Sequence, residues 1–184
     1  MCQSPLADAS TDDGGTAEIQ VPAGVHPYGG LGANGYVELT SDATFPQLFY
    51  WGYPVSTSPA PLALPYAFVA TPTQFMQAEA QLGVTQDPKR GIVGFFVVDC
   101  QSNAASGVQI TIEPSDQVQG PFYGSMFNSG ATATDTTALA TFFNVAPGMV
   151  TVTATPEGLG KPSARATIFV RAGYQTAMML HPTP

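Results

Sequence analysis

The chain holds few side chains able to do chemistry: two histidines, two cysteines, thirteen acidic groups and one dense aromatic run. His26 stands in VHPYGG and His181 in LHPTP, each beside proline in a loop-like context. A general base or nucleophile needs its partner within hydrogen-bond reach. Neither histidine has one nearby in sequence, so both are expected in solvent-exposed or capping roles. Cys100 ends the apolar run IVGFFVVDC with no basic residue or histidine alongside, which predicts an inert core thiol. Asp8, Asp12 and Asp13 lie in an oxygen-rich stretch of the kind that binds calcium. They lack the Asp/Asn alternation and distal Glu of an EF-hand loop, and solvation is their expected state. No phosphate-cradling glycine loop, dinucleotide-binding glycine motif or HExxH zinc motif occurs. No catalytic, metal or cofactor residue is therefore assigned, and the chain is not read as an enzyme.

The aromatic run is FPQLFYWGYP, residues 45–54, which holds the only Trp. Aromatic faces stack on sugar rings, so exposed Tyr50, Trp51 and Tyr53 would make a polysaccharide-binding group. The competing expectation is that alternate rings fill a packed seam, since a run this aromatic cannot place every ring in water.

Composition narrows what can position these residues. Only 10% of the 184 residues are charged, the formal net charge is -8, and there are 19 glycines and 17 prolines. That mixture favours short strands and many turns. Five Lys and Arg leave no basic stripe to neutralise phosphates, which excludes nucleic acid as a partner. No apolar run approaches the roughly 18 residues of a spanning helix. Cys2 follows Met1 and leaves two readings open: the lipid-anchored cysteine of a bacterial lipoprotein with SPLADASTDDGG as its tether, or an ordinary residue of a longer chain. A Cys2–Cys100 bridge is disfavoured, because a chain-terminal thiol has little to hold it at disulfide distance.

Residues 1–16 read as a flexible segment. AEIQV, GYVELTS, PQLFYWGYPV and LALPYAFV read as strands, the last two at an edge or in irregular connections because of Pro54, Pro61 and Pro65. TPTQFMQAEAQLG, residues 71–83, is the one convincing helix: Thr71 or Thr73 caps it, Pro72 suits its first turn, Phe75, Ala78 and Leu82 recur at helical spacing, and Gly83 ends it. IVGFFVVDC suits a strand buried on both faces, and GVQITIEPS alternates Val108, Ile110 and Ile112 inward with Gln109, Thr111 and Glu113 outward. Residues 134–155 supply two more strands joined at Pro147-Gly148, and ARATIFVRAGYQTAMMLHP supplies the last two around Ala172-Gly173. About seven short strands at this spacing predict an all-β, antiparallel, Ig-like sandwich with one short helix.

Residues 91–184 resemble the carboxypeptidase regulatory-like domain, a transthyretin-like β-sandwich of bacterial surface and periplasmic proteins. The matching features are GIVGFFVVD and its turn, Ser106-Gly107-Val108, Thr134-Asp135, ATFFNVAPG, MVTVTA, and the closing IFV, RAG and YQTAMMLHP. The family usually carries Gly two or three residues after the Thr-Asp, where this chain has Thr136-Thr137-Ala138. Asp135 is expected to accept backbone N–H bonds in an Asx-turn. TDDGGTAEIQVPAG and GYVELTS look like the second half of another such domain, so residues 17–90 read as a partial repeat, with its connecting helix, packed on the complete sandwich. The resemblance implies a non-catalytic structural or protein-interaction module of an exported protein, extracellular, at the cell surface or periplasmic. Its bare strand edges predict pairing with a protein partner or with a second copy.

Overall fold

Short runs of branched and aromatic residues between Gly, Pro and Asn clusters become nine strands and one helix among the described residues, 8–12, 36–50, 70–125 and 130–182 of this computed structural model. In chain order they are β1 (Tyr36–Leu39), β2 (Gln47–Tyr50), α1 (Pro72–Leu82), β3 (Gly91–Val97), β4 (Val108–Glu113), β5 (Gln119–Tyr123), β6 (Leu139–Val145), β7 (Gly148–Pro156), β8 (Ala164–Val170) and β9 (Gln175–Leu180). AEIQV and LALPYAFV lie outside the described residues. The chain groups into two compact units, Met1–Ala33 with Pro54–Leu62, and Asn34–Tyr53 with Ala63–Pro184. Of the first, residues 8–12 are described; they are exposed and outside helices and strands. The nine strands and the helix belong to the second.

Six strands form one sheet in the order β1-β2-β9-β3-β6-β5, and three form the other in the order β4-β7-β8. The fold is therefore an all-β sandwich with one short helix. Alternation decides what lies between the sheets. Val108, Ile110 and Ile112 of β4, Val150, Val152 and Ala154 of β7, and Ala164, Ile168 and Val170 of β8 meet Val93, Phe95, Ala140, Phe142, Met178 and Leu180 of the larger sheet. Burial of this apolar surface is the main stabilising contribution. β5, which carries the breaker pair Gly120-Pro121, is the strand that residue patterning passes over.

Two pairings, both made by β9, depart from the antiparallel expectation. β9 runs parallel to both of its neighbours, β2 and β3. β8 and β9 are consecutive but belong to different sheets, so the turn between them crosses the sandwich, and no hairpin sets the direction of β9. The hairpin β1–β2 extends the same sheet through β9, where buried Gln47 Nε2 donates to Gln175 Oε1 at 2.9 Å.

The helix has the ends its sequence encodes. Thr71 Oγ1 accepts from Gln74 N at 3.2 Å and Gln74 Oε1 accepts from Thr71 N at 2.8 Å, a reciprocal capping box with Pro72 just inside it. Gly83 closes the last turn at φ 64°. Phe75 of the helix and Val84 just after it pack with Ile92 and Phe143 on the outer face of the larger sheet.

Asp135 forms the expected Asx-turn, its carboxylate accepting from Thr137 N at 2.8 Å. Thr137 lowers the Asp135 pKa, foremost through the bond from its hydroxyl and then through this one. Three residues after Asp135, where the resemblance calls for glycine, Ala138 sits fully buried at φ 57°. The turn thus keeps the left-handed geometry without the residue that adopts it freely. That strain is worth about 1–2 kcal/mol, and the buried methyl returns about 0.8 kcal/mol. Ala138→Gly is expected to shift stability by less than about 1 kcal/mol, unlike an ordinary buried truncation. Thermal unfolding checks this: a drop of more than about 5 °C would show that the methyl outweighs the strain.

Candidate functional site: the open sheet edges

Among the described residues, those singled out in the sequence do not converge. Cys2, Asp13, His26, Trp51 and Tyr53 lie outside the described residues. Asp8 and Asp12 are exposed, and no group of three His, Cys, Asp or Glu residues among the described residues is placed to hold a metal ion. Cys100 corrects the expectation of a core thiol: it is free and exposed. β3 ends at Val97, and Asp99 then folds the chain back on itself, its Oδ1 accepting from Gln101 N at 2.8 Å and Asn103 N at 2.9 Å. The Asn103 amide, foremost, holds the Asp99 carboxyl below the usual range. Cys100 rides on the outside of that turn.

His181 follows β9 and is half-buried, and burial lowers its pKa below the ordinary imidazole value. The unfolded chain therefore takes up this proton first as pH falls. Stability from the neutral imidazole is present above about pH 6.5 and is lost as pH drops toward the folded value. The urea midpoint is expected to fall between pH 7.5 and 5, and less steeply in His181→Gln. Equal slopes would sink this assignment.

Tyr50, at the end of β2, has its ring centroid 5.4 Å from that of Tyr36 and packs against the main core. Its hydroxyl reaches across the sandwich and accepts from Phe169 N of β8 at 3.0 Å. A ring so placed joins the two sheets at one end.

Sequence reasoning passed over the polar residue with the most structural partners. Asn144 is buried near the end of β6 at φ 58°, where the β3–β6 register slips. Its Oδ1 accepts from Asp87 N at 2.7 Å, and its Nδ2 donates to Thr85 O and to Gln119 Oε1, each at 2.9 Å. Its own N–H donates to Gln86 Oε1 at 2.9 Å. Arg90 donates to Asn144 O at 2.9 Å and Asp116 O at 2.7 Å, and pairs with the Asp116 carboxylate at 3.3 Å. These bonds tie residues 84–90 to β6 and to the approach to β5. The signal that could have found Asn144 is the tolerance of asparagine for left-handed backbone.

The remaining polar feature of the fold is its strand edges, and side chains blunt most of them. On β4, Thr134 Oγ1 accepts from Val108 N at 3.0 Å, Thr134 N donates to Val108 O at 3.0 Å, and the buried Tyr123 hydroxyl accepts from Ile110 N at 2.9 Å. Burial pushes the Tyr123 phenol pKa up. On β5, Pro121 has no amide proton to offer. β1 is only four residues long, and Glu38 on it is held by Arg171 at 2.7 Å and by the Tyr174 hydroxyl at 2.9 Å. On β8, Tyr50 blocks Phe169 N, and Thr176 Oγ1 lies 3.4 Å from Phe169 O. Amides alternate along a strand, so those of Arg165 and Thr167 point the same way as that of Phe169, away from β7. Arg165 and Thr167 are exposed.

No family model matches the chain, and no curated protein matches it. Among solved structures it is similar to the TIE protein of Bacillus anthracis, with 15% identity over 51% of this chain and 16% of that one and a TM-score of 0.38. It is also similar to the major pilin subunit of Bacillus cereus, with 16% identity over 51% of this chain and 29% of the pilin and a TM-score of 0.35. A minor pilin of Streptococcus agalactiae matches with 11% identity over 52% of this chain and 46% of the pilin, again with a TM-score of 0.35. The chain thus spans less than half the length of each.

Proposed function

We propose that this chain is a non-catalytic structural and protein-interaction module of an exported bacterial protein, placed at the cell surface or in the periplasm, and that residues 91–184 form a carboxypeptidase regulatory-like domain. The observation that carries this reading is the use of its best-oriented polar side chains. Asn144, Gln86, Arg90, Thr134 and Tyr123 are all bonded to backbone groups of the fold itself. Among the described residues the fold presents outward mainly strand edges and solvated side chains. A rigid sandwich with a recruitable edge suits pairing with another chain.

The test uses the intact protein carrying a photo-crosslinker on Cys100, with Cys2→Ser, exported in a bacterial host and also studied in purified form. The expected result is a protein adduct of defined mass, together with Trp51 emission unchanged by a panel of soluble polysaccharides. A saturable emission shift with one glycan would transfer the function to carbohydrate binding through Tyr50, Trp51 and Tyr53. Absence of any protein adduct in cells and in solution would overturn the module reading.

A further inference from the structure

The geometry points to a self-complementary docking edge on β8, which pairs antiparallel with β8 of a second copy about a two-fold axis at Ala166. This rests on the interaction-module reading and deepens it by naming the edge, the partner and the register.

The choice of edge follows from what the others lack. β4 and β5 are blunted by Thr134, Tyr123 and Pro121, and β1 is four residues long. β8 is seven residues long, and β7 covers only one side of it. The amides and carbonyls of Arg165 and Thr167 face the other side and take no partner in any turn or loop among the described residues.

The register follows from three alternatives. Placing Arg165 opposite its own copy sets two guanidinium groups face to face across the strands, a destabilising pair. Placing Thr167 opposite its own copy puts Arg165 opposite Phe169, whose amide is already bonded to the Tyr50 hydroxyl. Placing Arg165 opposite Thr167 of the second copy satisfies all four outward amides and all four outward carbonyls by symmetry, with no like charges opposed. Ala166 then faces its own copy in a non-hydrogen-bonded pair, the closest kind of cross-strand approach. The two three-stranded sheets become one of six strands. The paired stretch is short, so dissociation in the range of about 10–100 µM is expected.

Each copy carries a formal charge of -8, so salt screens their mutual repulsion and tightens the pair. An acidic peptide drawn to Arg165 would show the opposite trend.

The test is sedimentation of the full chain at two salt concentrations, with two variants. Thr167→Pro removes an amide proton the monomer does not use, so its unfolding midpoint is expected to stay nearly unchanged while association weakens about tenfold or more. Ala166→Cys, in a Cys2→Ser/Cys100→Ser background, is expected to give a disulfide-linked dimer under mild oxidation, since the facing Cα atoms would lie within disulfide distance. Arg165→Cys in that background is expected to cross-link far less. A chain that stays monomeric at several hundred micromolar, a dimer untouched by Thr167→Pro, cross-linking of Arg165→Cys as strong as that of Ala166→Cys, or association that weakens with salt would each overturn the β8 dimer. A monomer in sedimentation that still gives a heterologous protein adduct in cells would remove this inference and leave the module reading standing.

Discussion

Asn144→Ala is expected to destabilise the folded chain by about 3 kcal/mol, with a fall in Tm of about 10 °C. Two costs add. Asp87 N loses its acceptor, and Thr85 O and Gln119 Oε1 lose the amide that donates to them; each of these part-buried bonds contributes about 1 kcal/mol. Ala must also hold the left-handed backbone at φ 58° that Asn tolerates better. Asn144→Gly separates the two, because it removes the bonds without the strain. It is expected to recover about 1 kcal/mol of the loss. If the two variants unfold at the same midpoint, backbone geometry contributes nothing here. If both match wild type, the network does not hold residues 84–90 in place.

Thr134→Val is the second large effect, expected to cost about 2–3 kcal/mol. Thr134 is 4% exposed and does three jobs at once. Its hydroxyl accepts from Val108 N at 3.0 Å and donates to Ala105 O at 2.7 Å, while its backbone holds Gly107 and Val108. Valine keeps the shape and leaves the Val108 amide without an acceptor. Tyr123→Phe does the same to Ile110 at a smaller cost, about 1–2 kcal/mol, because one bond is lost. Both changes also bare the β4 edge, so the variants are expected to aggregate on heating where the wild type does not. Chemical denaturation gives the first quantity and light scattering during the thermal ramp the second. A Thr134→Val chain as stable as wild type would show that water replaces the hydroxyl.

What the sequence determined by itself is what short-range physics controls. The ends of α1 follow from Thr71, Pro72, Gln74 and Gly83, whose capping contacts span three or four residues. The two faces of β4 follow from strict alternation, and the full burial of one face of β3, with Ile92 buried and Gly94 and Phe96 half-buried on the other, from an unbroken apolar run. The Asx-turn at Asp135 closes within two residues. The tertiary structure decided everything that depends on a distant partner. β9 lies parallel to β2 and β3 because its turn crosses between sheets. Tyr50 caps the β8 edge at the Phe169 amide alone, and only because Phe169, remote in sequence, is brought to it. Asn144 reads as an unremarkable strand residue until residues 85, 87 and 119 surround it. Cys100 looks like the end of a buried strand until Asp99 turns the chain outward. Which edge stays open was decided last, because an amide points to solvent or to a partner according to the neighbours the whole sandwich supplies.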